Sequence, residues 1–296
     1  QLTLRNPNEL KATMHLRGTT GLSSGAHWST TVKFDKTSCA CFKALPGGSP
    51  TKSPTGSAAT IKCNARSLSA VATVQPVLTI VASGSEVYVY RRAECTLTCT
   101  GEHTAPIRHL LVLGDTLLTI CESGVLTVWS LTDDEVLRRL HAGFAPSAIV
   151  HPATYLNKVL LAAPDGRMKL LNLRTGTSVY EFAGWGSAVL CLEQSPALDV
   201  IGIGHADGRL CLHNLKADRT VLSLAHEEGD AVTGLAFRTD GEPIVVSASA
   251  RGALHVWHLQ RRARLTSLPD VHSGGIGALH FVRGQPMLLT MGASDN

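Results

Sequence analysis

A nine-residue unit recurs four times in this chain at nearly constant spacing, and that recurrence limits the fold more than any other feature. Residues 123–131 (SGVLTVWSL), 165–173 (DGRMKLLNL), 207–215 (DGRLCLHNL) and 251–259 (RGALHVWHL) align without gaps. Their glycines, Gly124, Gly166, Gly208 and Gly252, are 42, 42 and 44 residues apart, and Gly84 stands 40 before the first. After each glycine the apolar residues alternate, as Leu126/Val128, Met168/Leu170, Leu210/Leu212 and Leu254/Val256. A period of two puts them on one face of a strand; a helical repeat would need spacings of three and four. A second landmark precedes the glycine: Asp115, Asn157 and Asp199 by nine residues, Asp240 by twelve.

Short apolar strands flank these landmarks, at 107–112 and 158–163 for example, and a more polar strand follows each unit, as at 136–140. Four strands in about 42 residues is the size of one β-propeller blade. The chain therefore reads as all-β, a propeller of four-stranded blades, seven-bladed when complete. Its 27 glycines and 13 prolines supply the turns, and 44% apolar residues suffice for a core. The propeller is expected over 26–296, with a flexible surface insertion at 46–66 that opens on the low-complexity stretch PGGSPTKSPTGS. Residues 1–25 fall outside the repeat and are unassigned. At the other end, 277–282 and 287–291 supply two strands of a further blade, and the chain stops where the next turn glycine is due. A half-blade leaves an unpaired edge, so a truncated last blade and a longer parent protein are expected.

Tests for chemistry come out negative. There is no Gly-Lys dipeptide for a phosphate-cradling loop. Gly202, Gly204 and Gly208 imitate a dinucleotide loop, but the third glycine is one residue late and leads into a strand. His226-Glu227 lacks the second histidine of a zinc protease motif. Cys95 and Cys99 would lie about 13 Å apart on a strand, too far to share a metal ion. The eight cysteines, irregularly spaced, read as reduced core thiols of an intracellular protein. The long uncharged stretch between Arg139 and Lys158 is broken by Pro146 and Pro152 and does not qualify as a membrane span. No catalytic residue, cofactor, metal or small-molecule substrate is expected.

These residues resemble the WD-repeat family. Trp129 and Trp257 occupy its strand-ending tryptophan; Asp115, Asp199 and Asp240 its turn aspartate, where Asn157 stands in the remaining blade. His103, His226 and His272 sit where its histidine precedes a blade. The resemblance implies that Asp, His, a Ser or Thr and the Trp form a buried hydrogen-bonded set in each blade. The Trp-Asp dipeptide itself appears nowhere, and two blades begin with Gly143-Phe144 and Gly184-Trp185 instead of histidine. Residues 151–159 (HPATYLNKV), 181–185 (EFAGW), 197–204 (ALDVIGIG), 237–243 (FRTDGEP) and 292–296 (GASDN) narrow the likeness. They are similar to the U-three small nucleolar RNA-associated protein twenty-one family, from about residue 68 onward. That resemblance implies a nucleolar scaffold of the small-subunit processome, working beside other WD-repeat proteins in a large ribonucleoprotein. It also implies two tandem propellers and a helical C-terminal region.

Arginine pairs are the remaining signal. Arg91-Arg92 and the run Arg261, Arg262, Arg264 follow third strands and are expected on one face, whereas Arg138-Arg139 lies within a fourth strand, one of the two facing solvent. Such a rim suits partner proteins or the phosphates of pre-ribosomal or small nucleolar RNA. Without interleaved aromatics it does not suit sequence-specific base reading. Two rival classes stand beside the scaffold. One is a peptide-binding adaptor in a signalling or ubiquitin-ligase complex; the other, an enzyme built at the central opening, has no acidic or histidine cluster to support it.

Overall fold

The computed structural model describes residues 13–19, 27–35, 38–41, 59–62, 70–74, 78–91, 94–282, 284 and 286–292, with side chains for 80–90 and from 96 onward except 228. Five four-stranded antiparallel sheets follow one another along the chain. Blade 1 is Ala70–Val74, Leu78–Ser83, Glu86–Arg91 and Glu94–Cys99. Blade 2 is Ile107–Leu113, Thr116–Cys121, Val125–Ser130 and Val136–His141. Blade 3 is Ala148–Val150, Lys158–Ala162, Met168–Asn172 and Ser178–Phe182. Blade 4 is Val189–Gln194, Val200–His205, Arg209–Asn214 and Arg219–Ala225. Blade 5 is Val232–Phe237, Ile244–Ser249, Leu254–His258 and Ala263–Leu268. The first strands of successive blades pack side by side, which gives the radial order of a propeller.

The sixth sheet departs from expectation. It starts with Ile276–Phe281 and Leu288–Gly292, the two strands read above as a half-blade. The edge of Leu288–Gly292 is taken by Thr13–Thr19, in register Met14 to Met291 and Leu16 to Leu289. His27–Asp35, Ser38–Cys41 and Ala59–Lys62 then extend the same sheet. Unpaired edge N–H and C=O groups template the addition of a strand, and here the same chain provides it. Among the described residues the sheets number six, and the seventh blade expected of a complete ring is not among them. The strand Thr13–Thr19 lies inside the segment that sequence left unassigned, because it carries no turn glycine to mark it.

The inner strands of blades 2 to 5 are apolar on both faces because each of these blades is sandwiched. Alternate positions of one strand serve different cores. In blade 2, Leu117 and Trp129 pack with Ile80, Val87 and Val89 of blade 1. Their neighbours Leu118, Ile120, Leu126 and Val128 pack with Val159, Leu161 and Leu171 of blade 3. The pattern repeats onward: Met168 and Leu170 meet Ile201 and Ile203, and Leu210 and Leu212 meet Leu235 and Val245. The alternating residues singled out in the sequence are thus the face that each third strand turns to the next blade. Burying each such side chain stabilises by about 1.5–3 kcal/mol.

The recurring glycines have a steric cause. Gly124, Gly166, Gly208 and Gly252 have φ of +81°, +92°, +84° and +92°, a region that L-residues enter at a cost. They also abut the loop leading into the next blade. A Cβ on Gly124 would lie 2.3 Å from the Phe144 carbonyl oxygen, and on Gly252 1.8 Å from that of His272. Gly84, at φ +57°, has nothing within 4 Å of that position. The leucine closing each unit is fixed by a backbone bond. Leu131, Leu173 and Leu215 donate their N–H to the carbonyls of Asp115, Asn157 and Asp199, each at 2.8 Å. In blade 5 Pro243 replaces the aspartate as acceptor for Leu259, also at 2.8 Å.

Candidate interaction surface

Polar side chains inside the blades are used to hold the blades. In blade 2 the Trp129 indole N–H donates to Thr119 Oγ1 at 2.9 Å, and His103 Nε2 lies 2.7 Å from the same oxygen. In blade 5 Trp257 donates to Ser247 Oγ at 2.8 Å, with His226 Nε2 at 2.7 Å. In the sixth sheet His272 Nε2 lies 2.9 Å from Thr290 Oγ1. All of these histidines and hydroxyls are buried. The resemblance put the turn aspartates in this set, and the structure does not. Asp115, Asn157 and Asp240 are exposed and Asp199 half-buried, all at the first-to-second-strand turns. Asp115, Asn157 and Asp199 contribute backbone geometry, Asn157 and Asp199 with φ of +56° and +58°, a conformation Asn and Asp tolerate better than most, whereas the Asp240 carboxylate pairs with Arg238.

The hydrogen inventory fixes the protons. Burial, reinforced by the Arg139 guanidinium, pulls His103 down to about 4, and burial with the neighbouring His255 does the same to His226. Both rings are therefore neutral near pH 7, with one N–H each. Thr119 gives its hydroxyl proton to the Thr127 carbonyl at 3.3 Å, so His103 Nε2–H must donate to it. His226 Nδ1 sits 2.9 Å from the Asp230 carbonyl, so that nitrogen is the donor and Nε2 accepts from Ser247. The two sets share a shape and run their protons in opposite senses.

Blades 3 and 4 solve the same position differently. Leu161 and Leu171 stand where Thr119 and Trp129 stand, and both belong to the apolar core with Phe144 beside them. In blade 4 the aromatic and the imidazole exchange ends. His213 takes the third-strand position and Trp185 the loop before the blade, their rings perpendicular with centroids 5.0 Å apart. Ile203 leaves no hydroxyl on the second strand, so the polar partners come from the fourth strand and the turn before it. Trp185 N–H reaches Thr220 Oγ1 at 3.3 Å, and His213 Nε2 reaches Asp218 Oδ1 at 3.1 Å. Sequence reasoning passed over Thr119 and Ser247; their fixed offset of ten residues before each tryptophan would have found them. Nothing comparable marks Thr220.

The arginines separate. Arg91 and Arg92 lie outside the described side chains. Arg138 and Arg139 are both exposed, not one in and one out. Arg139 turns back to blade 1's following loop, donating to the Glu102 carbonyl at 2.8 Å and pairing with its carboxylate at 2.6 Å. Arg264 belongs to a fourth strand, not to a turn, and pairs with Glu227. Arg261 and Arg262 form the turn between the third and fourth strands of blade 5, with Arg262 at φ +52°. Among the described residues, Arg138, Arg261 and Arg262 have no ion-pair partner.

The imitation dinucleotide loop has a packing role. A Cβ on Gly204 would lie 2.4 Å from Cys191 Sγ, and one on Gly202 2.9 Å from the Phe237 ring. Cys99, Cys121, Cys191 and Cys211 are buried, and Cys95 lies outside the described side chains. Among the described residues no three His, Cys, Asp or Glu gather as metal ligands.

Known proteins resemble this chain at two levels. A family model described as the WDR36/Utp21 first beta-propeller matches residues 61–296. WD repeat-containing protein 36 of Homo sapiens is 34% identical over 208 residues, 69% of this chain and 23% of that protein. The U3 small nucleolar RNA-associated protein 21 homolog of Schizosaccharomyces pombe is 32% identical over 226 residues, 73% of this chain and 25% of that protein. The chain thus spans about a quarter of the length of these curated relatives. In fold alone it resembles the crystal structure of the computationally designed Ika8 protein, with a TM-score of 0.66 and 17% identity over 99% of this chain and 97% of that one.

Proposed function

Because this chain belongs to the family of the WDR36/Utp21 first beta-propeller, we propose that it is a non-catalytic scaffold of the nucleolar small-subunit processome. It supports ribosome biogenesis and pre-ribosomal RNA processing through contacts with other WD-repeat proteins and with RNA. The observation that carries this reading is the family match over 61–296, joined to relatives whose names place them with U3 small nucleolar RNA. The disposition of polar groups agrees with it. In blades 2 and 5 the Trp N–H, the Thr or Ser hydroxyl and the His Nε2 hydrogen-bond one another inside the sheets, so their chemistry is spent on rigidity. A rigid ring offers loops on two faces and a strand rim to partners. In this reading the propeller is one of two in a longer protein, and Arg138, Arg261 and Arg262, without ion-pair partners among the described residues, meet phosphate or acidic neighbours.

The test is co-purification of the full-length protein under native salt. U3 small nucleolar RNA should be enriched, and depletion of the protein should leave small-subunit ribosomal RNA precursors uncleaved. Recovery of a ubiquitin ligase or kinase complex without U3 RNA would replace this reading with the adaptor one.

A further inference from the structure

A groove of about 720 Å³ opens between blades 2 and 3 on the face that carries the first-to-second and third-to-fourth turns. Its walls include the buried Val128 and Leu173, and its rim carries Leu137 and Leu156, exposed to 54% and 79%. Arg138 and Arg174 line it as well, and no Asp or Glu does. Neither arginine has an ion-pair partner among the described residues.

Leu156 is held out deliberately by its neighbours. The turn that bears it is closed by Tyr155 N–H to the Pro152 carbonyl at 3.0 Å and Lys158 N–H to the Tyr155 carbonyl at 3.2 Å. It is clipped to blade 4 by Thr154 Oγ1 donating to Asp199 Oδ1 at 2.6 Å and Ala153 N–H to Gln194 Oε1 at 3.0 Å. A leucine presented on so constrained a turn loses little entropy when a partner covers it. Gly176 packs against Leu140, whose Cδ2 would lie 2.7 Å from a Cβ there, and the Arg138 stem passes beside it.

We propose that this groove docks a segment of a partner protein in which bulky apolar side chains alternate with Asp or Glu. Leucines on the rim and walls take the apolar residues, and Arg138 and Arg174 take the carboxylates. Charge decides against the other occupants. A second copy of this chain, carrying net +4, would bring arginine against arginine across the contact. Nucleic acid would set phosphate against exposed leucine and find no aromatic ring for its bases. A volume of this size holds a few side chains, so a short linear segment suffices. The proposal deepens the scaffold reading and rests on it for the existence of a protein partner.

The experiment titrates the full-length protein with a labelled octapeptide alternating Leu and Glu, and with its twin carrying Lys for Glu, by fluorescence anisotropy. The acidic peptide should bind at least about tenfold more tightly, since complementary charge selects partners at such surfaces. Arg138→Glu with Arg174→Glu should erase that preference at unchanged melting temperature, and Leu156→Ser should weaken the acidic peptide about fivefold or more, as truncation of an interface anchor does. Equal binding of the twins overturns the proposal, as does a preference surviving the double variant. Binding of a ten-nucleotide oligouridine that the double variant abolishes, or dimers abolished by Leu156→Ser, would assign the groove to RNA or to self-association. Failure here with U3 RNA still co-purifying would sink the groove alone; peptide docking without U3 RNA would sink the scaffold reading alone.

Discussion

Blades 2 and 5 hold their strands with a buried hydroxyl shared between a tryptophan and a histidine, whereas blade 3 fills the same space with Phe144, Leu161 and Leu171. The histidine and the hydroxyl arrive together or not at all. His103 comes with Thr119, His226 with Ser247 and His272 with Thr290, while Leu161 and Ile203 have no imidazole before their blades at that place. The difference teaches that the polar set is a unit. A buried imidazole or indole N–H without a partner costs about 1–3 kcal/mol, so removing one member strands the others, and only replacing all of them is cheap.

The sharpest way to break the comparison is therefore a single change. Thr119→Leu should destabilise by about 3–5 kcal/mol, because it leaves both Trp129 N–H and His103 Nε2–H buried without an acceptor. The triple variant His103→Phe, Thr119→Leu, Trp129→Leu should recover most of that loss by importing blade 3's apolar solution. Denaturant unfolding of the unaltered protein, the three single variants and the triple variant decides it. Purely additive costs would show that the set is not a unit.

The turn glycines give a second contrast, between blades that are crowded and one that is not. Gly252→Ala should cost about 3 kcal/mol, since the new Cβ would overlap the His272 carbonyl at a backbone φ already unfavourable for alanine. Gly84→Ala meets no atom and should cost about 1 kcal/mol, the left-handed conformation alone. Equal melting-temperature losses would mean that the loop leading into the next blade yields.

Those glycines were legible in the sequence because a steric demand repeated at one spacing leaves few alternatives. The strand faces were legible for the same reason, with period two recurring in every unit. The turn aspartates were misread: their place in the turn was right, but the turn uses the carbonyls of Asp115, Asn157 and Asp199 and the positive φ of the last two, neither of which distinguishes a buried side chain from an exposed one. Two features were beyond a pattern reading. Trp185 and His213 exchange roles through Thr220 on a fourth strand, and Thr13–Thr19 pairs with Leu288–Gly292 across almost the whole chain. Both depend on contacts between segments that carry no shared motif.

Acid separates the polar blades from the apolar one. His103 and His226 bind protons with a pKa of about 4 in the folded protein against 6.5 otherwise, so unfolding takes up protons. Stability is then complete above about pH 6.5 and falls as pH drops toward 4. At pH 5 each histidine should have removed about 2 kcal/mol. A melting-temperature profile between pH 7.5 and 4.5 should steepen below 6.5 and flatten in the variant His103→Gln, His226→Gln. An unchanged profile in that variant would place the acid sensitivity elsewhere.

Blade 4 supplies the smallest effect and the finest discrimination. Burial lowers the pKa of His213, and the Asp218 carboxylate 3.1 Å from Nε2 opposes that by favouring the charged ring. Asp218 is 43% exposed, so the pair is screened by water and contributes at most about 1 kcal/mol. Asp218→Asn keeps a hydrogen-bond acceptor and removes the charge. It should leave stability near pH 7.5 almost unchanged, and move His213 titration to lower pH, readable from its imidazole NMR shifts. His226 in the same spectra should not move, because its partners are a serine and a backbone carbonyl. If Asp218→Asn instead unfolds the blade as Thr119→Leu is expected to do, then His213, Trp185 and Thr220 are a third buried unit assembled on the fourth strand, not a surface-braced substitute for one.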